Sequence, residues 1–282
     1  MSASFEDRFV SIDGLRLRYI EVGAGHPVIF LHGGSLGSSA DVFRRNLPVF
    51  ASAGYRAIAF DQPGFGLSDA PHDHSGGYRR ESIANFMAAL GLSRPACIAH
   101  SQAGGMAVRL ALKQPDLFSH LIILGTGSLL PRLDGGEDKG GVVQQRLERR
   151  MASQEPSLDD TRKLLEANLF HHDLITADEL ALRHTRSLGK AFDAFVARNA
   201  LSDSSQKKIK EEEPIWKKLR SIPIPLLMIY GANDRAQAAE RVRLLQSLEP
   251  DLHLHLVPDC KHLVPWDAQL AVERMALSFL KS

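Results

Sequence analysis

The chain has 282 residues, 44% of them hydrophobic and 24% charged, with a formal net charge of +1. That length accommodates one large α/β domain carrying an insertion, or two smaller domains, and the near-neutral balance supplies no global field to gather nucleic acid or an anionic membrane. No apolar run approaches the ~20 residues of a membrane span, and two cysteines, Cys97 and Cys260, argue against a disulfide framework and for a reducing compartment.

The opening segment, MSASFEDRF, carries acidic residues where a signal peptide needs a basic start and an apolar core, so a cytoplasmic location is expected. Arg8–Ile12 and Leu15–Val22 flank Asp13-Gly14, a dipeptide that favours a two-residue hairpin turn. Short apolar runs follow at Val28–Leu31, Tyr55–Phe60, Ala96–Ala99 and Leu121–Leu124, each closed by Gly, Pro, Asp or His. Helical patterns alternate with them near Asp41–Ala53, Arg80–Leu90 and Gln102–Lys113. Continuous apolar strands separated by helices indicate a parallel sheet covered on both faces.

The pattern changes after Leu130. Residues 131–141 are polar and glycine-rich, and the chain then reads as helical to about Pro214, with Val143, Leu147 and Met151, and again Leu188, Phe192 and Val196, at four-residue spacing. The charged run Lys207–Glu213 reads as a solvated helix face. Strand character resumes at Pro225–Tyr230 and His253–Val257, and Leu270–Leu280 reads as a closing helix. The expected organisation is a sheet core over residues 1–130 and 215–282, interrupted by a helical cap over 131–214.

Open parallel sheets bind ligands beyond the carboxyl ends of their strands. Three such ends carry reactive side chains: Ser101 in Ala99-His100-Ser101-Gln102-Ala103, Asp234 in YGAND, and His262 in VPDCKH. A serine hydroxyl is a poor nucleophile until a neutral imidazole takes its proton, and the imidazole needs a carboxylate to fix its tautomer. Taken singly, the three read as a helix cap, a surface aspartate and one of 12 histidines. Together, in the chain order Ser…Asp…His, they point to an α/β-hydrolase triad. The turn Leu31-His32-Gly33-Gly34-Ser35 follows a strand where such enzymes bring a backbone N–H to an oxyanion hole, so Gly34 and Gln102 are the expected donors.

Other readings are structural. His32 is expected to brace the turn, Asp61-Gln62-Pro63-Gly64-Phe65-Gly66-Leu67-Ser68-Asp69 to form a tight turn beside the site, and Cys260 to be a packed thiol. His253 and His255 share a strand face without a third ligand, so no metal site is expected. No phosphate loop or dinucleotide fingerprint is present.

The chain resembles the meta-cleavage product hydrolases, serine-dependent C–C bond hydrolases of aromatic catabolism within the α/β-hydrolase fold. The likeness rests on LHGG at 31–34, AGYRAIAFDQPGFGLSD at 53–69, HSQAGG at 100–105, ITADELALR at 175–183, YGANDR at 230–235 and HLVPW at 262–266. It implies hydrolysis of a 2-hydroxy-6-oxo-dienoate without metal or organic cofactor, with a small-molecule substrate as partner and a homodimer or higher assembly as an open possibility. It further implies substrate binding by Arg183, at the carboxylate end, by Trp266, along the conjugated chain, and by the positions of Ser35 and His100. The sequence departs from the family at His100, where asparagine is common, at Ala103, where glycine is, and at Ser35-Leu36-Gly37. A carboxylesterase or lactonase would use the same triad, and a hydrolase-fold receptor would bind a small ligand while scarcely turning it over. Leu129, Leu165, Leu169, Phe192 and Phe195 are candidates to line the cap side.

Overall fold

The structure, a computed structural model, describes residues 5–133, 150–204, 213–235 and 237–281. Among these, eight strands form one sheet in the order β1-β2-β4-β3-β5-β6-β7-β8. They are β1 (Arg8–Ile12), β2 (Leu15–Val22), β3 (His26–Leu31), β4 (Tyr55–Phe60), β5 (Ala96–His100), β6 (Leu121–Leu124), β7 (Leu226–Gly231) and β8 (His253–Val257). The β1–β2 and β2–β4 pairs are antiparallel and the rest parallel. The β1–β2 turn places Asp13 and Gly14 at φ +51° and +79°, the left-handed pair that suits a twisted hairpin.

Nine α-helices accompany the sheet among the described residues: α1 (Leu47–Ser52), α2 (Gly76–Ala89), α3 (Gln102–Lys113), α4 (Leu158–Asn168), α5 (Ala177–Thr185), α6 (Lys190–Ser204), α7 (Ala238–Leu248), α8 (Val264–Asp267) and α9 (Gln269–Phe279). The pleat divides each central strand between two cores. Ile29, Leu31, Ile58, Phe60, Cys97 and Ile123 pack with α2, α3 and α7. Val28, Phe30, Ala57, Ile98, Ile122 and Leu124 pack on the face of α1 and α9. Between β6 and β7 the described chain is helical, with α4, α5 and α6 lying in that interval. Val143 and Leu147, residues 134–141 of the glycine-rich stretch and residues 207–212 of the charged run lie outside the described residues.

Two helices differ from expectation. The single helix expected over Asp41–Ala53 is a 3-10 turn at Ala40–Phe43 followed by α1. Pro48, lacking an N–H, cannot continue a helix from Arg44 but fits the first turn of a new one. Helix α2 starts four residues before Arg80, because the Ser75 hydroxyl accepts from the Tyr78 N–H at 3.1 Å and caps it.

Candidate active site

The elbow between β5 and α3 forces Ser101 to φ +57° and ψ −125°, a conformation that costs on the order of 1–3 kcal/mol and is held by its surroundings. The Ser101 N–H donates to the Leu124 carbonyl at 2.8 Å, and the Thr126 hydroxyl donates to the Ser101 carbonyl at 2.7 Å. A Cβ at Gly104 would collide with the Thr126 hydroxyl and lie 2.9 Å from Ile123 Cγ2, so helix and strand ends meet there. The close approach falls on Gly104, which lets Ala103 take the position where the family carries glycine.

Ser101 makes no capping bond. Its Oγ is 2.8 Å from His262 Nε2, and His262 Nδ1 is 2.9 Å from Asp234 Oδ2. Burial raises the Asp234 carboxyl, but His262 and Arg235 outweigh it and hold the group below its ordinary range. An ionised Asp234 only accepts, so Nδ1 carries the imidazole proton and Nε2 is left to accept from the serine hydroxyl. Ser101, Asp234 and His262 are brought together from the ends of β5, β7 and β8.

The Gly33-Gly34 turn after β3 is braced by His32, whose Nδ1–H donates to the Gly33 carbonyl at 2.7 Å while Nε2 accepts from the Gln62 N–H at 3.0 Å. The Gln62 amide returns a bond to the His32 carbonyl at 2.6 Å. Burial depresses His32 to about 3, so the ring is neutral and structural, as expected. The N–H groups of Gly34 and Gln102 have no acceptor among the described residues. They border the same cavity as Ser101.

That cavity, about 190 Å³, places catalytic and binding groups together. Arg183 reaches into its lining from α5, and Nη2 donates to the Ser35 and Ser38 hydroxyls at 3.0 and 3.4 Å. His100 also lines it, but its Nε2–H is used on the His262 carbonyl at 2.8 Å, leaving Nδ1 as an acceptor. Burial holds His100 neutral, at about 3.

Trp266 stands apart from these groups. It lies outside the cavity lining, 5% exposed, with its indole N–H donating to the Val42 carbonyl at 2.8 Å and the Arg45 guanidinium 4.6 Å from its ring. The chain turns into α8 after Leu263, which carries Trp266 into the core and leaves Leu263 on the cavity wall. Of the expected cap residues, Leu165 lines the cavity, Leu129 and Leu169 are fully buried, and Phe192 and Phe195 pack with Leu36, Met151 and Leu164. Sequence reasoning missed Leu164, Asn168 and Arg235, whose Nη1 donates to Asn168 Oδ1 at 2.6 Å within the lining. The YGANDR match contained Arg235, but nothing in its spacing shows where a long side chain points. Among the described residues no cluster of three His, Cys, Asp or Glu side chains gathers, and no helix is long and apolar enough to cross a membrane.

Fold and triad together define a serine hydrolase of the α/β-hydrolase class. A family model described as alpha/beta hydrolase fold matches residues 26–269. The 2-hydroxy-6-oxononadienedioate/2-hydroxy-6-oxononatrienedioate hydrolase of Comamonas testosteroni is 30% identical over 99% of this chain and 98% of its own length. The 2-hydroxy-6-oxo-6-phenylhexa-2,4-dienoate hydrolase of Burkholderia cepacia is 29% identical, with the same coverage. The meta-cleavage product hydrolase CumD of Pseudomonas fluorescens IP01 superposes with a TM-score of 0.77 at 22% identity over 97% of both chains, a likeness of fold. The chain belongs to the α/β-hydrolase family and, within it, to the meta-cleavage product hydrolases.

Proposed function

We propose that the protein hydrolyses the C–C bond next to the distal carbonyl of a 2-hydroxy-6-oxo-dienoate, a ring-fission product of aromatic catabolism. The observation that carries this reading is that one cavity holds both the Ser101–His262 pair and the Arg183 guanidinium. A plain esterase needs the first and not the second.

Hydrolysis begins with conversion of the bound dienol to its keto tautomer, which places a proton on the carbon beside the distal carbonyl. Ser101 Oγ then adds to that carbonyl and its proton passes to His262 Nε2. The oxyanion accepts from the Gly34 and Gln102 N–H groups, each worth on the order of 3 kcal/mol in comparable sites. When the oxyanion collapses, the C–C electron pair leaves as a dienolate delocalised toward the 2-oxo group, and His262 returns the proton. Water, deprotonated by the same imidazole, releases the acyl group from Ser101 as a carboxylic acid. Arg183 suits the substrate carboxylate, and Leu164, Leu165 and Leu263 provide apolar wall beside the conjugated chain.

The partner is thus a small molecule. The buried free thiols Cys97 and Cys260, both pushed above their ordinary range by burial, suit a reducing cytoplasm. The test compares kcat/KM for coloured dienoates bearing phenyl, alkyl or carboxyalkyl distal groups with kcat/KM for nitrophenyl esters. Preference for a dienoate supports the proposal; brisk ester turnover with every dienoate untouched sinks it.

A further inference from the structure

Among the described residues, Arg79 is a buried cation that pairs with no carboxylate. It stands in α2, 5% exposed; its Nη1 donates to Gln102 Oε1 at 2.8 Å, and its buried Nε has no partner among the described residues. A second arginine, Arg198 of α6, shares its surroundings: the Arg79 and Arg198 guanidinium carbons lie 5.8 and 3.8 Å from the Phe65 ring centroid. Arg198 donates to the Gly64 carbonyl at 2.9 Å. Among the described residues neither guanidinium pairs with an Asp or Glu. Burial lowers Arg79 to about 10, and burial with the adjacent Arg79 charge lowers Arg198 to about 9, so both remain cationic at neutral pH.

Burying a guanidinium costs several kcal/mol and is usually answered by a carboxylate. Here the nearest chemistry that would use the charge is the oxyanion hole. A guanidinium only donates, so the Gln102 atom facing Arg79 is the amide oxygen, and that fixes the flip of the side chain. The same oxygen occupies the space a Cβ at residue 34 would need. The Gln102 amide therefore packs against Gly34, one donor residue, and belongs to the other. An unoccupied amide oxygen at that place would repel the charge that develops on the substrate. Arg79 takes the oxygen as its acceptor and puts a net positive charge behind it.

We propose that Arg79 is a positioning residue of the oxyanion hole, one that clamps the Gln102 amide against Gly34 and biases the local field toward the transition state. It acts through Gln102 and touches no substrate. The inference rests on Ser101 adding to a carbonyl, which dienoate and ester hydrolysis share, so it stands or falls separately from the choice of substrate.

A matched pair of ketones tests it. A trifluoromethyl ketone adds to Ser101 and leaves an oxyanion in the hole; the corresponding methyl ketone binds without adding. Arg79→Met is expected to weaken the trifluoromethyl ketone about 10-fold or more while the methyl ketone shifts by less than about twofold, and to lower kcat with KM nearly constant. Equal losses for both ketones, or no loss for the fluorinated one, overturn the proposal. If the methionine variant does not fold, Arg79→Lys carries the test: a smaller loss confined to the fluorinated ketone, and absent in a Gln102→Met background, is expected. A Lys effect that persists at full size in that background overturns it.

Discussion

Arg186 leaves the helical segment between β6 and β7 and pairs with Asp41 of the sheet core, Nε to Oδ2 at 2.8 Å. The other Asp41 oxygen accepts from Arg18 Nη2 at 2.8 Å, and Arg18 also faces Asp61 at 3.3 Å. Burial alone would raise Asp41; the two guanidinium groups reverse this and hold it at about 2. Arg186 directly follows α5, which bears Arg183, so this pair sets that helix over the elbow. Asp41→Ala removes the carboxylate that Arg18 and Arg186 share, leaving Arg18 with Asp61 and Asp7, and is expected to lower stability by about 3 kcal/mol in urea unfolding and to raise KM. A loss below about 1 kcal/mol would show that the network does not anchor α5.

The elbow makes a paired prediction. Gly104→Ala drives a methyl group into Thr126 and Ile123 and should cost about 1–3 kcal/mol, with a large fall in kcat as Ser101 is displaced. Ala103→Gly should leave kcat within about twofold and cost under about 1 kcal/mol, the ordinary penalty of glycine in a helix. Denaturant titration and steady-state kinetics on both variants check this. Reversal of the two would place the tight contact at the wrong residue.

Much of this was legible in the sequence, and the parts that were not share a cause. The hairpin could be read because Asp13-Gly14 demands left-handed backbone, and β4, β6, β8 and α3 because their apolar runs end in abrupt turn residues. The triad could be read because each member lies within five residues of the carboxyl end of a strand, at the rim where the sheet topology gathers them. Trp266 could not be placed from its spacing to His262, since the start of α8 rotates it into the core. Arg79 and Arg235 gave no local signal: their roles depend on where long side chains end, several ångströms from their backbone.

Arg183 separates binding from chemistry. Arg183→Met should raise KM for a dienoate by about 10- to 100-fold, the value of charge-assisted hydrogen bonds to a carboxylate. Turnover of a nitrophenyl ester without a carboxylate should change little. Trp266→Phe, which removes the bond to the Val42 carbonyl, should instead lower stability by about 1 kcal/mol and leave dienoate KM nearly unchanged. Kinetics with both substrates and one unfolding curve per variant decide it.

His32 and His100 predict the acid response. Each is held at about 3 by burial, whereas an unfolded histidine titrates near about 6.5. Between those values the unfolded chain binds more protons than the folded one, so stability falls as pH is lowered, by up to about 1.4 kcal/mol per unit for each ring. Unfolding midpoints should therefore decline from about pH 6.5 downward. His100→Asn should reduce the slope by close to one proton, and an unchanged slope would mean that His100 is not buried neutral.

The most direct measurement is product analysis of one dienoate with the wild-type protein and with Ser101→Ala. The wild type should yield equimolar carboxylic acid and 2-hydroxypentadienoate, and Ser101→Ala should be slower by a factor on the order of 1,000 or more while still binding the substrate. An intact dienoate after prolonged incubation with wild type, or equal rates for the two proteins, would contradict C–C hydrolysis by the Ser101–His262–Asp234 triad.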